Sequence, residues 1–123
     1  MNGPLLIVDD ESDIRQMLGL VLGALGWATE EAGSADEAIE RCRRSPMPTA
    51  VIVDQRMPPG PSGLYAVRVL RAEGFPAPIV LHSAHLTQSA EEEARAIGVE
   101  IIPKGDMRAL VRTLTLLRAA SGG

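Results

Sequence analysis

Four short apolar runs, each ending in a polar residue, constrain this chain more than any other feature. They are PLLIVD (4–9), TAVIVD (49–54), PIVLHS (78–83) and VEIIPK (99–104). Each is a few consecutive β-branched or apolar residues, the pattern of a strand covered on both faces, as in a parallel sheet. A fifth run, WATEEA (27–32), is more polar and reads as an edge strand. Helical patterns lie between them. Ile14, Met17, Leu18, Val21, Leu22 and Leu25 form one continuous apolar stripe, and Gly26 follows as a stop. Ser34 and Glu37 have capping-box spacing ahead of a helix that turns Ala38, Ile39 and Cys42 inward. Leu64, Val67 and Leu70 mark a third helix, ended by Gly74 and Pro76. Ala90, Ala94 and Ile97 mark a fourth, ended by Gly98. Asp106 is placed to cap a fifth, with Leu110, Val111, Leu114 and Leu117 on its inner face.

Five strands alternating with five helices predict an α/β fold: a doubly wound, five-stranded parallel sheet with five helices. A length of 123 residues suits one domain with one core. That domain is assigned to residues 1–120, with 121–123 as a tail and no output domain in this chain. Charge and composition mainly exclude. A net charge of −4 leaves no basic stripe for nucleic acid or a membrane surface. No apolar run approaches membrane-spanning length, and MNGPLLIVDD lacks the features of a signal peptide. Cys42 has no second cysteine to pair with, which fits a cytoplasmic localisation; it reads as a core residue. Trp27, Tyr65 and Phe75 are the only aromatic residues, too few for a stacking surface.

In a sheet of this kind the ligand site lies beyond the carboxyl ends of the strands, where the strand order reverses. The first strand delivers Asp9 and Asp10 there, the third Asp54, the fourth Ser83 and the fifth Lys104. Taken singly, each reads as readily as a helix cap or loop residue. Jointly they comprise three carboxylates, a hydroxyl and the only lysine of a chain that otherwise uses arginine. An ammonium is a compact point charge on a flexible stem, suited to a narrow place where one oxygen is met end-on. Two charges ~4 Å apart at a partly buried site interact by ~4 kcal/mol, so three carboxylates demand protons or a cation. All-oxygen ligands suit Mg²⁺. Metal, ammonium and hydroxyl together favour phosphoryl transfer onto a carboxylate.

LIVDDE, VIVDQRMP with a following glycine, VLHSA and IPK resemble, in order and along essentially the whole chain, the receiver domain of bacterial two-component response regulators. The resemblance implies a flavodoxin-like sheet of order 2-1-3-4-5 and a phosphorylation-controlled signalling switch, not an enzyme in the usual sense. Asp54 would accept a phosphoryl group from a histidine kinase or histidine phosphotransfer protein. Asp10 and Asp54 would ligate Mg²⁺ directly, with the backbone carbonyl of Arg56, and Asp9 through water. Ser83 would be the hydroxyl that swings to a phosphoryl oxygen, and Lys104 would pair with another. The implied partners also include a downstream protein target, with no direct nucleic acid and no membrane contact. A homodimer through the fourth helix, fifth strand and fifth helix is a further expectation.

Three features depart from the family pattern. Gly105 follows Lys104 where Pro is usual, with Pro103 before it. Ile101, or Ile102 in an alignment shifted by one, stands where Tyr or Phe is usual, which removes an aromatic switch. MPPGPSG (57–63) is one residue longer than the usual loop and stiffened by its prolines. Arg56 and His85, two residues beyond Asp54 and Ser83, either flank water approaching an aspartyl phosphate or are solvated loop side chains. His82 reads as a strand residue near the core, and a His82–His85 metal pair is disfavoured because their spacing straddles a strand end. EEEAR (91–95) reads as a solvated helix face. A receiver-like interaction module that is rarely or never phosphorylated remains the alternative, favoured by Ile101 and Gly105 and opposed by the complete acidic set. A phosphatase of the haloacid dehalogenase type needs an Asp where Arg56 stands. An FMN carrier needs a hydroxyl-rich loop where DDES would repel phosphate.

Overall fold

The computed structural model of the protein describes residues 3–121. In chain order the elements are β1 (Leu5–Val8), α1 (Ser12–Ala24), β2 (Thr29–Ala32), α2 (Ala35–Cys42), β3 (Ala50–Val53), α3 (Gly63–Ala72), β4 (Ile79–Ser83), α4 (Gln88–Ala96), β5 (Glu100–Pro103) and α5 (Met107–Ser121). The strands form one parallel sheet of order β2-β1-β3-β4-β5, the doubly wound topology expected. Val8 lies opposite both Ala32 and Val53, Val53 opposite Leu81, and Leu81 opposite Ile101, so β1, β2 and β3 finish on one row and β4 and β5 run two residues past it. Helix α5 runs one residue past the expected domain boundary, and the rest of the expected tail, 122–123, lies outside the described residues. No described helix is long and apolar enough to cross a membrane.

Alternation along each strand sorts side chains onto two faces. Leu6, Val8, Val51, Val53 and Leu81 pack beneath α2, α3 and α4. Leu5, Ile7, Ile52, Val80 and Ile102 pack with Leu18 and Leu22 of α1 and with Leu110 and Leu114 of α5. All residues of β1, β3 and β4 are buried, as their unbroken apolar runs require, whereas the edge strands β2 and β5 expose glutamates.

Local signals were largely followed. The Glu37 N–H donates to Ser34 Oγ at 3.1 Å, while the Glu37 carboxylate reaches back to the Gly33 N–H at 3.0 Å. The Ala109 N–H donates to the Asp106 carboxylate at 3.0 Å. Gly26, Gly74 and Gly98 have φ of +96°, +85° and +75° just after their helices, where an L side chain would be strained. Ser62 and Thr87 also cap helices, through the N–H groups of Tyr65 and Ala90. Neither has the acidic partner three residues on that would have marked it.

Two expectations are corrected. Strand β2 starts at Thr29, not at residue 27; Trp27 stands outside the ladder, its ring covered by the Arg118 guanidinium 3.8 Å from the ring centroid. Only Leu18 and Leu22 of the α1 stripe are fully buried, with Ile14 half-buried and Met17, Val21 and Leu25 exposed. Helix α1 shares its face of the sheet with α5, so it needs a narrower apolar stripe than a helix covering that face alone.

Candidate functional site

The last ladder hydrogen bonds bring the acids together. The Asp9 N–H donates to the Ala32 carbonyl at 3.1 Å and the Asp54 N–H to the Val8 carbonyl at 2.9 Å. Because Val8 and Val53 are register partners, Asp9 and Asp54 leave adjacent strands side by side. Both are buried, at 2% and 5% exposure, while Asp10 is exposed. One carboxylate oxygen from each of Asp9, Asp10 and Asp54 lies within 4.8 Å of the others.

Lys104 closes the cluster from β5. Its backbone N–H donates to the Ser83 carbonyl at 3.0 Å, fixing the base of the stem. Its Nζ lies 3.2 Å from Asp54 Oδ2 and 3.0 Å from Asp9 Oδ2. Glu11 Oε2 is 3.9 Å from the same ammonium, a neighbour the sequence reading did not single out. Gly105 follows at φ +92°, so the turn after the lysine uses the freedom only glycine has.

Burial pushes the Asp54 carboxyl above its ordinary pKa, and the charge of Asp9 adds to the rise; the Lys104 hydrogen bond offsets only part of it. Burial alone would lower the Lys104 pKa, but hydrogen bonds to Asp9 and Asp54 outweigh it and hold the ammonium charged. One ammonium thus meets Asp9 and Asp54, with Glu11 at longer range and Asp10 beside them. The donor set is all oxygen, converging and over-acidic, and it fits a hard divalent cation.

Several second-layer contacts hold this geometry. The Glu11 N–H donates to Asp9 Oδ1 at 3.0 Å, and Arg15 Nη1 to the Asp9 carbonyl at 2.6 Å. Gln55 Oε1 accepts the Leu64 N–H at 2.8 Å, and the Gly63 N–H donates to the Gln55 carbonyl at 2.9 Å. A Cβ at Gly63 would sit 2.3 Å from the Asp54 carbonyl oxygen, so only glycine lets α3 begin this close to the end of β3. None of these contacts was legible from spacing, since each joins a side chain or helix end to backbone set by the tertiary fold.

The cluster opens into a pocket of about 290 Å³ whose lining includes Asp10, Glu11, Asp54, Arg56, Ser83 and Lys104. Pro58 and His85 also reach it. Asp9 does not line it and lies behind. Ser83 is buried, and its Oγ donates to the His85 carbonyl at 3.3 Å. His82 is a buried strand residue, as expected, and its Nε2 has no hydrogen-bond partner among the described residues. Among those residues the acidic triad is the one group of three or more side chains spaced to share a metal, and it includes neither His82 nor His85.

Fold and site together define a class: a doubly wound α/β module of order 2-1-3-4-5 whose ligand end is an acidic pocket closed by one ammonium. The chain belongs to the response regulator receiver domain family, which matches it over residues 5–114. It is therefore a switch module of two-component signalling. It is 36% identical over 98 residues to the phosphate regulon transcriptional regulatory protein PhoB of Klebsiella pneumoniae, covering 78% of this chain and 40% of that one. It is 32% identical over 124 residues to the transcriptional regulatory protein ResD of Bacillus subtilis, covering 95% of this chain and 49% of the relative. The chain thus spans half or less of the length of these relatives. The chemotaxis protein CheY4 of Vibrio cholerae superposes with a TM-score of 0.82 at 25% identity, covering 95% of this chain and 99% of that one. The response regulator TrrA of Thermotoga maritima, solved in complex with Mg²⁺-BeF, superposes with a TM-score of 0.81 at 27% identity and the same coverages.

Proposed function

We propose that Asp54 is the phosphoacceptor of this receiver domain, taking a phosphoryl group from the phosphohistidine of a histidine kinase or histidine phosphotransfer protein. One observation carries the assignment: of the two buried carboxylates held by Lys104, only Asp54 lines the open pocket. A carboxylate oxygen of Asp54 attacks phosphorus as the phosphorus–nitrogen bond to the donor imidazole breaks. The bonding pair leaves with that nitrogen, which takes a proton, and Asp54 becomes an acyl phosphate.

The chain's own groups have definite tasks in this step. Lys104, already 3.2 Å from Asp54, meets one non-bridging oxygen and offsets its charge. Ser83 donates to another once its hydroxyl leaves the His85 carbonyl. Asp10, Asp54 and the backbone carbonyl of Arg56 would hold Mg²⁺, with Asp9 acting through water, and the bound ion supplies charge neutralisation for the transferred group. Arg56 and His85, at the mouth, control water reaching the acyl phosphate and therefore its lifetime. The resulting change is read by a downstream protein at the face of α4, β5 and α5, where a homodimer also forms. Ile101 is half-buried there against the α4 side of the core, so signal transfer proceeds without an aromatic rotamer change on β5.

Intact-protein mass after incubation with a small phosphodonor, with and without Mg²⁺ and alongside Asp54→Asn, tests the reading. The expected result is a Mg²⁺-dependent gain of one phosphoryl group that the variant lacks. A folded, Mg²⁺-replete protein that gains nothing would overturn it in favour of an unphosphorylated interaction module.

A further inference from the structure

Beside the phosphoacceptor lies a buried histidine to which the reading above gives no task. The register places it. Asp9, Asp54 and His82 each follow a residue of the aligned row Val8, Val53 and Leu81, and His82 is itself paired with Ile102. Residues in one row of a parallel sheet point to the same face. Two residues earlier in their strands, Ile7, Ile52 and Val80 all pack on the face that α1 and α5 cover. His82 is therefore the lateral neighbour of Asp54, on the Asp54 face.

Lys104 reaches this row from the far side of His82. Ile102, two residues before it, packs on that same face. The Lys104 ammonium ends on Asp54 of β3 and Asp9 of β1, and β4 stands between β3 and β5. The lysine stem must cross the column of β4, whose last side chain on this face is His82. The imidazole is the floor under that crossing. Burial, reinforced by the Lys104 charge, lowers the His82 pKa, as a close approach of the ammonium requires.

The floor is made of an unexpected material. His82 is only 3% exposed, and its Nε2 has no partner among the described residues. A buried, unpaired polar atom destabilises a fold, and an apolar side chain of similar volume would avoid that cost. Such a feature retained beside a reactive carboxylate marks a functional constraint. Lysine has three N–H donors. Two are directed at Asp9 and Asp54, and the Glu11 contact is long at 3.9 Å.

We propose that His82 is a positioning residue for Lys104: its ring supports the lysine stem, and its unpartnered nitrogen anchors the ammonium, directly or through one water, when Asp54 carries the phosphoryl group. The idea rests on Asp54 being the phosphoacceptor, although the support of the stem does not depend on it. When Asp54 becomes an acyl phosphate, one of the two acceptors holding Lys104 is replaced. A third, fixed acceptor keeps the ammonium from following the phosphoryl oxygens outward.

Because Lys104 is the only lysine, lysine labelled with ¹⁵N at Nζ gives a single ammonium resonance, a direct view of the group being positioned. His82→Leu and His82→Gln in the full chain provide the test, Gln placing an amide near the position of Nε2. The expected results for His82→Leu are a melting temperature raised by about 5 °C, a displaced ammonium signal, and Mg²⁺-dependent phosphorylation by a small phosphodonor slowed about tenfold. His82→Gln restores the rate to within about threefold of the parent. An unmoved ammonium signal and an unchanged rate in His82→Leu would overturn the proposal and leave His82 a core residue. If the parent protein takes up no phosphoryl group, the phosphoacceptor reading fails by itself. The ammonium signal of the unphosphorylated variants then still decides whether His82 positions the lysine.

Discussion

Two charge clusters, each centred on one cation with little exposure, stand at different places in this molecule and are built on opposite terms. At the edge of the sheet, Arg41 is 8% exposed. Its Nε donates to Glu30 at 2.7 Å, Nη1 to the Arg44 carbonyl at 3.1 Å and Nη2 to the Pro46 carbonyl at 3.0 Å. The hydrogen bond to Arg41 holds the Glu30 carboxyl below its ordinary pKa. Every nitrogen of the fork has an acceptor, and the charges of Arg41 and Glu30 match one to one. At the mouth, Lys104 faces two buried carboxylates with Asp10 and Glu11 beside them, and the Asp54 pKa is driven up. The first cluster ties α2 and the following loop to β2. The second is left with surplus negative charge that only a proton, a metal ion or a chemical change at a carboxylate relieves. A matched cluster is scaffold, and a mismatched one is a site.

Adding Mg²⁺ is expected to act on the second cluster alone and to give the largest effect. Metal at about a hundredfold excess over its dissociation constant stabilises a protein by about 2.7 kcal/mol. The urea midpoint should rise accordingly in the parent and in Arg41→Met, and much less in Asp10→Asn. Arg41→Met, which leaves two carbonyls and Glu30 without their donor, should lose about 2 kcal/mol in the same urea titration. Its folded fraction should take up a phosphoryl group at the parental rate. An equal loss in both assays would dissolve the distinction between scaffold and site.

Asp54→Asn should have the opposite sign, stabilising the metal-free protein by about 1 kcal/mol at pH 7. The Asp54 pKa is higher folded than unfolded, so the folded state binds the extra proton in the window between the two values. Stability therefore falls as pH rises through that window. The gain from Asn is present above the raised folded pKa and vanishes below about pH 4, where Asp54 is protonated in both states. Unfolding at pH 7 and pH 3.5 separates these cases; a gain that persists at the lower pH would point to packing instead of charge. The smallest effect belongs to a third ion pair. Arg43 Nη2 and Glu73 Oε2 are 2.6 Å apart but solvent-facing, and Arg43→Ala should leave the melting temperature unchanged at physiological salt.

The two clusters also differed in how far they could be read in advance. Asp9, Asp10, Asp54, Ser83 and Lys104 were legible because strand ends in a parallel sheet converge, so the residue after each apolar run was a candidate. Asp9 and Lys104 lie 95 positions apart in the chain yet meet at 3.0 Å because both leave the same edge of the sheet. Arg41 gave no such signal. Its acceptors include two carbonyls of a loop whose path follows no periodicity, and its position on α2 reads as an ordinary helix residue. The contacts of Glu11, Gln55 and Gly63 were not legible for the same reason, although all three stand in the motif runs, as each contact is fixed by where α1 or α3 begins against the sheet. The α1 stripe was overread because spacing shows which residues share a helix face, not how much of that face a neighbouring helix takes.

The Arg118–Trp27 contact has a practical consequence. The chain's one indole lies ahead of β2, at the opposite end of the sheet from the pocket, beneath a guanidinium carried by the last turns of α5. The indole emission therefore reports metal or phosphodonor entering the pocket only indirectly, as through movement of α5. A spectral change on filling the pocket would be an optical record of a message that had crossed the whole domain. A silent spectrum would place its end short of that helix.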